Sequence, residues 1–504
     1  MHGSRHSPSK NPTRRVQLDI FHKLSTEIVV SVLSFLSWKD LLSVRKVSPY
    51  LQDASKTKSL WTSLFLHESK AKFNAPCLLR LELPMSMYSS GEIERILLRW
   101  KTSRSAWRRG EVQRRNIIRR PIAHAMAHLL KGGRWLLRLL VDGSLVCHDL
   151  DHPQDEAINI AAPVFSSLAL SDNTAVAVMS VQELDDSPVL AARVAVLYSV
   201  AKKHAPTWSQ DMHRVDIWSL TVALDDSTQP KGNLAAKRIT SFPLPSEFQI
   251  AGKRSVTLLD NEIATNFSYA LAPHGPVFLT VIDWTKPDGR STSYPRRYVA
   301  GPTAKDAGRQ GILVGNSLIF TRYQDTLFLI SYARSQETNA LPHRDCADGK
   351  RVWQGYTGLF AGQTSAPFFC TTSTRIVIQC HREIMGVIVK RDQAEATEVV
   401  QLMSLPSRNL LDQTHLGYHH AVFFPDRMDA STVALSFCWP DEKGNAVSVP
   451  FTSQHKILAR SALNQTALCR EHYFRVLFDE GSGRIITLSA MKGKLVRWET
   501  SPLA

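Results

Sequence analysis

Apolar positions near the start of the chain recur at helical spacing. Ile28, Val29, Val32, Leu33 and Leu36 step by three and four residues and predict an amphipathic helix with a broad apolar face. Ser25 stands where a cap belongs, and Glu27 falls in the first turn, where negative charge suits the helix dipole. Ser37 with Asp40 three residues on has the form of a capping box and opens a second helix through Leu41, Leu42 and Val44. Ser48 before Pro49 predicts a third helix start. Leu60, Trp61, Leu64 and Phe65 predict a last short one. Further on, Ile93, Ile96, Leu97 and Trp100 keep the helical period and Trp107 extends it.

From Leu129 the pattern changes to short β-branched and aromatic runs broken by turn residues. Arg134 to Val141 and Ser144 to Asp149 flank Asp142-Gly143, the strongest short hairpin signal. Further strands are predicted at Val194–Tyr198, Val215–Trp218, Phe278–Trp284 and Leu327–Ser331. The clearest unit closes the chain: Gly483 to Ser489, a turn at Lys492-Gly493, then Lys494 to Glu499. Such units recur every forty to sixty residues, roughly the period of a propeller blade but irregular. The stretches Asp185–Pro188, Ser227–Lys237, Asp288–Arg297 and Glu337–Lys350 are predicted loops, where partner contacts tend to lie.

These patterns divide the chain into a polar, basic arm (1–17), a helical block (18–73), a basic helical linker (74–128) and a long β region (129–504). The expected fold class is α+β and multidomain, with all-α elements ahead of an all-β propeller. About 370 residues suit six to eight four-stranded blades, since closing the ring removes exposed strand edges. A pair of β-sandwiches is the structural rival.

Composition adds bounds. Hydrophobic residues make up 43%, enough for a sizeable core. The stretch Ile28–Trp38 is too short to span a bilayer, and the first twenty residues lack the apolar run of a secretory signal. An intracellular protein of the nucleus or cytoplasm, without membrane contact, is expected. Seven scattered cysteines with no Cys-x-x-Cys predict neither a disulfide framework nor a zinc site, and most are expected to be buried small hydrophobes. The net charge of +16 attracts acidic partners. Much of it sits on Arg95, Arg99, Lys101, Arg104, Arg108, Arg109, Arg114, Arg115, Arg119 and Arg120. That run reads as a solvated helix face or a contact with the β region; a nuclear signal or a nucleic-acid-binding helix is the sharper alternative.

The helical block carries a family pattern. Leu24-Ser-Thr-Glu-Ile28, then Val32-Leu33 and Leu36, then Asp40-Leu-Leu42, Val44, Val47-Ser48 and Leu60-Trp61-x-x-Leu64 resembles the F-box from end to end. Ser25 stands where the family has proline, and Leu51 where it has tryptophan. Ser25 keeps a helix start but not the fixed φ of proline. An ordinary helical subdomain is the plainer alternative. Leu97 to Lys101 and Trp107-Arg108-Arg109 resemble the helical connector ahead of the propeller in fungal F-box proteins, which would make the linker a stiff spacer. The last hairpin resembles the closing strands of a WD-repeat blade, with Trp498-Glu499 where Trp-Asp is usual, so the β region is similar to a degenerate WD-like propeller.

The F-box resemblance implies docking onto a Skp-type adaptor and, through it, onto a cullin scaffold. The chain would then be the substrate receptor of an SCF-type ubiquitin ligase, with an unknown target protein on the propeller. Several short helices in about fifty residues cannot bury this much aliphatic surface among themselves, so some of it should meet a partner. The implied adaptor contacts are Leu24, Glu27, Ile28, Leu33, Leu36, Leu41, Leu42 and Val47, any of which could instead be internal core. An F-box scaffold acting outside a ligase, or a nucleic-acid-associated propeller, are the alternative readings. No catalytic motif is complete: there is no His-Glu-x-x-His, no Gly-x-Ser-x-Gly, and Ala251-Gly-Lys-Arg-Ser255 lacks the upstream glycine of a phosphate loop. His381, His419 and His420 lack a spaced ligand set, and neither metal nor cofactor is expected.

Overall fold

The computed structural model describes residues 23–69, 76, 78–109, 112–118, 124–165, 175–200, 213–223, 232–245, 248–249, 255–269, 277–289, 291–300, 311–315, 317–323, 326–340, 350–356, 361–380, 383–405, 414–423, 433–440, 454–456, 474–489 and 495–500. The basic arm, the Lys492-Gly493 turn, His381 and Ala251–Arg254 lie outside the described residues. The chain divides into two compact units, 1–70 with 88–97, and 71–87 with 98–504. No helix among the described residues is long and apolar enough to cross a membrane.

The first unit is helical. Its elements are α1 (Thr26–Leu33), α2 (Trp38–Val44), α3 (Pro49–Ala54), α4 (Lys58–Ser69) and the opening turns of α5 (Ser90–Arg109). Ser37 accepts from the Asp40 backbone N–H at 3.3 Å and donates to its carboxylate at 2.7 Å, the capping box the spacing predicts. Ser48 caps α3 through the Leu51 N–H, with Pro49 at the first helical position. A second box, Ser89 with Glu92, starts α5, and the Ser89 backbone and hydroxyl donors hold the Glu92 carboxyl below its usual range. At α1 the expected side-chain cap is missing. Ser25 has the extended backbone of a cap residue, but its hydroxyl makes no cap bond.

The second unit contains seven antiparallel sheets among its described residues, consecutive along the chain. Each has four strands, here a to d in order; in the third and fifth sheets strand a is split in two. In the first sheet they are His124–Leu129, Trp135–Leu140, Leu145–Asp149 and Ile158–Ala161. The second runs Ala175–Glu183, Ala191–Val200, His213–Ala223 and Asn233–Pro243. In the fifth, Ala361–Thr364 and Phe368–Phe369 precede Ser373–Cys380, Glu383–Lys390 and Glu398–Ser404. The sixth contains Thr414–Leu416, His420–Phe423, Val433–Ser436 and Gln454–Lys456. The seventh combines Phe474–Asp479, Arg484–Ser489 and Leu495–Thr500 with a fourth strand from far upstream, Val112–Ile118. Val112 pairs with Thr500 and Arg114 with Trp498, so the start of the β region closes onto its end. This is a β-propeller, and seven sheets fall inside the expected blade range.

That closing strand changes one reading. Only Ser90–Arg109 of the stretch 74–128 forms the predicted long helix; Val112–Ile118 and His124–Leu129 are strands. The arginines between Val112 and Ile118 hide a strand whose partner lies about four hundred residues away in sequence, a pairing no local pattern announces.

Apolar layers fill the gaps between blades. Leu129, Leu136, Leu477 and Ile486 join the first to the seventh; Leu197, Val215, Phe278 and Ile282 the second to the third; Phe320, Leu327, Ile376 and Val387 the fourth to the fifth. Between the fifth and sixth, the Trp439 ring lies over Gly386, where an added Cβ would meet it at 2.4 Å. The Asp142-Gly143 turn forms as predicted: Gly143 takes φ +82° and the Asp142 carboxylate accepts from Ser144 N at 2.9 Å. Of the described cysteines, Cys147, Cys370 and Cys380 are buried and Cys438 is exposed.

Polar clasps tie the a–b turns of neighbouring blades. Glu480, after strand a of the seventh, accepts from the Tyr418 and His419 backbones and from the His420 ring at 2.9 Å. Burial pushes the Glu480 carboxyl up, but His420, His419 and these N–H groups bring it down to about 2. His420 is therefore held by a carboxylate of the next blade. Glu183 accepts from Lys131 N at 3.0 Å, and Arg484 donates to the Gly133 carbonyl at 2.8 Å.

Candidate functional site, a helical docking face

The helical unit is assembled around Trp61. Its indole N–H donates to the Ser55 carbonyl at 2.8 Å, and the Arg45 guanidinium lies 5.2 Å from its ring centroid. Arg45 also forks onto Glu94 of α5 at 2.5 and 2.8 Å and bonds Ser55, so one half-buried fork joins the ends of α2 and α3 to α5. Val29, Leu33, Leu41, Leu51, Leu60, Leu64 and Phe65 are buried in the same unit. Tyr50 donates to the Leu24 carbonyl at 2.8 Å and fixes the approach to α1.

Around α1 the apolar residues separate into two stripes. Val29 and Leu33 point inward, while Ile28 and Val32, one position earlier on the helical wheel, face out with Phe35 beyond them. Phe35 is 87% exposed, Val47 69%, Val32 53% and Ile28 51%, and Leu24 and Leu66 are exposed too. Of the ten large hydrophobic residues exposed among the described residues, these six lie in the helical unit. Scattered exposed apolar residues are ordinary, but this concentration along and beside one helix marks an interaction surface.

The predicted contact residues divide accordingly. Leu24, Glu27, Ile28 and Val47 are exposed, and Leu36 and Leu42 are half-buried. Leu33 and Leu41 are core, at 4% and 0% exposure, and cannot present their side chains to a partner. The spacing predicts one broad face, and that face is divided because α1 packs on α3 along only one of its edges. Val32 and Phe35 belong to the surface although the family pattern does not single them out as contacts. Glu27 stays anionic at the head of the stripe, its carboxyl lowered by its own backbone N–H and the Ser25 hydroxyl.

Four short helices over Val29, Leu33, Leu41 and Trp61, two of them opened by side-chain caps, with the stripe turned outward, are the arrangement expected from the F-box resemblance. The family model of the F-box-like domain matches residues 21–67, a span containing all four helices but the last two residues of α4. Residues 21–67 are an F-box-like domain. The F-box-like domain is followed by the propeller, for which one similar solved structure is the β-propeller domain of Cps50 (Swd1) from Myceliophteria thermophila. The two align at a TM-score of 0.40 and 10% identity, over 77% of this chain and 98% of that one. No curated protein matches the chain.

On the propeller, three of the predicted contact loops make internal contacts among the described residues. The Asp185–Pro188 loop gives its carbonyls to Arg80, which bonds Asp185 O at 2.6 Å, Leu184 O at 3.2 Å and Ser187 O. Leu190 N donates to Glu82 O at 2.8 Å, and the Glu82 carboxylate pairs with Arg134. The segment Leu78–Leu83 is thereby strapped to the a–b turns of the first two blades. The Asp288–Arg297 and Glu337–Lys350 loops are stitched together by Arg296 with Thr338 and by Arg297 with Glu337 at 2.8 Å.

Proposed function

We propose that the protein is the substrate-recognition subunit of an SCF-type cullin–RING ubiquitin ligase, working in the nucleus or cytoplasm. The F-box-like domain docks on a Skp-type adaptor, and the propeller holds a target protein near the ligase. The observation that carries this reading is the exposed stripe Ile28, Val32 and Phe35 with Leu24 and Val47. Burying one large aliphatic or aromatic side chain contributes about 1.5–3 kcal/mol, so five anchors amount to on the order of 10 kcal/mol before the cost of association. The protein's role is tethering: it raises the effective concentration of target lysines at the ligase and forms no covalent bond itself.

The test is co-purification. Tagged wild type is expected to bring down adaptor and cullin together, and Ile28→Asp with Phe35→Asp is expected to lose both while melting like wild type. Wild type that recovers no adaptor would refute the reading. Adaptor without cullin would point instead to an F-box scaffold outside a ligase.

A further inference from the structure

The propeller ring has a seam. Its seventh blade joins three strands from the end of the chain to Val112–Ile118 from far upstream, and pairing and packing alone hold that junction. On one side stand the seventh blade's Phe474–Asp479, Arg484–Ser489 and Leu495–Thr500, which follow the sixth blade in sequence. On the other side, Val112–Ile118 leads directly to the first blade's His124–Leu129. A seventh blade that swings away from the first therefore strips Val112–Ile118 from Leu495–Thr500.

The segment Leu78–Leu83 crosses this seam, with an anchor on each side. Its leading end is seated on the late blades. The Leu78 side chain packs against the apolar layer between the fifth and sixth. The Leu78 carbonyl comes so close to Gly481, in the a–b turn of the seventh, that an added Cβ there would collide with the oxygen. Gly481 leaves room for the backbone of the strap.

Its trailing end is seated on the early blades. Arg80 donates to four carbonyls of the second blade's a–b turn: Asp185 at 2.6 Å, Val189 at 2.9 Å, Leu184 at 3.2 Å, and Ser187. A planar guanidinium with acceptors along its edge is held in one orientation. The Glu82 carbonyl accepts from Leu190 N at 2.8 Å, and its carboxylate pairs with Arg134 of the first blade at 2.8 Å. Leu83 is 6% exposed and lies against Gly232, just ahead of the second blade's strand d. Separating the two sides of the seam must break one of these anchors or stretch the short segment between them.

We propose that Leu78–Leu83 is a staple across the seam of the propeller. With both ends seated it keeps Val112–Ile118 paired with Leu495–Thr500, and with either end released the seventh blade opens there. The staple does not depend on adaptor docking and stands or falls separately.

Hydrogen exchange measured by mass spectrometry on the full chain tests it with three variants. Arg80→Ala releases the trailing anchor, Gly481→Ala drives the strap backbone off the leading one, and the third variant carries both changes. Each single change is expected to speed exchange in Val112–Ile118 and Leu495–Thr500 by about tenfold. The fourth blade's Leu318–Tyr323 and Thr326–Ser331 are expected to exchange as in wild type. The double variant is expected to exceed the larger single effect by no more than about twofold, because a staple with one end free no longer bridges the seam. Two unrelated local contacts would instead multiply their effects. Seam exchange unchanged in either single variant, a double effect approaching the product of the two, or equal acceleration in the fourth blade would overturn the proposal.

Discussion

The helical unit and the propeller treat the same kind of side chain in opposite ways. In the propeller, residues such as Leu327, Ile376 and Val387 are sealed between blades, and closure through Val112–Ile118 leaves the seventh blade no missing strand. In the helical unit, Ile28, Val32 and Phe35 stay in solvent while Val29 and Leu33, their immediate neighbours, are core. A short helix packed along one edge has a second edge to offer, whereas a strand in a closed ring has both faces and both edges covered. The first region leaves an apolar edge uncovered. The second completes itself.

Truncations that leave an apolar cavity should break this contrast most sharply. Trp61→Ala removes the ring that anchors Ser55 and Arg45 and is expected to cost about 3–5 kcal/mol, while Phe35→Ala stays within about 0.5 kcal/mol. Chemical denaturation followed by helical and sheet signals separately would show it; equal losses for the two variants would dissolve the distinction between stripe and core. Next in size is Arg80→Ala. Losing charge-assisted bonds to the Leu184–Val189 turn should cost about 1.5–3 kcal/mol and expose the Leu78–Leu83 strap to proteolysis, with the melting of the helices unchanged.

Acid should weaken the propeller before the helices. Burial, with the Arg138 charge, holds His148 near pKa 4, and burial with the His128 charge does the same to His415. The unfolded chain takes up these protons below about pH 6.5 and the folded one does not, so stability is intact above that pH and falls as pH drops toward 4. The slope is about 1.4 kcal/mol per pH unit for each histidine. Glu480 works the other way in charge: its lowered pKa contributes stability above about pH 4.5 that is lost toward pH 2. A His148→Gln variant whose stability between pH 4 and 6.5 runs parallel to wild type would contradict the assignment. The smallest expected effect separates two caps. Ser37→Ala should cost about 1 kcal/mol and Ser25→Ala less, because only Ser37 makes a cap bond.

Local physics made much of this legible in advance. The helix starts at Ser37 and Ser48, the Asp142-Gly143 hairpin and the strands at Phe278 and Leu327 all follow from side chains within a few residues of one another. The F-box pattern in Leu24 to Leu64 was equally local. What the pattern left open was orientation. Leu33 and Leu41 share their residue type and helical period with the exposed positions, and only the packing of α1 on α3 and of α2 around Trp61 separates them.

The sequence by itself determined the order of regions, the helix caps, the hairpin turns and an apolar surplus in the first seventy residues, because each depends on short-range spacing. Tertiary structure alone decided which leucines are core, that an arginine-rich stretch at Val112–Ile118 closes the seventh blade, and that Arg80 straps the neighbouring turns. Those outcomes depend on contacts between residues far apart in the chain, and on which free edge or buried acceptor remains once everything else has packed.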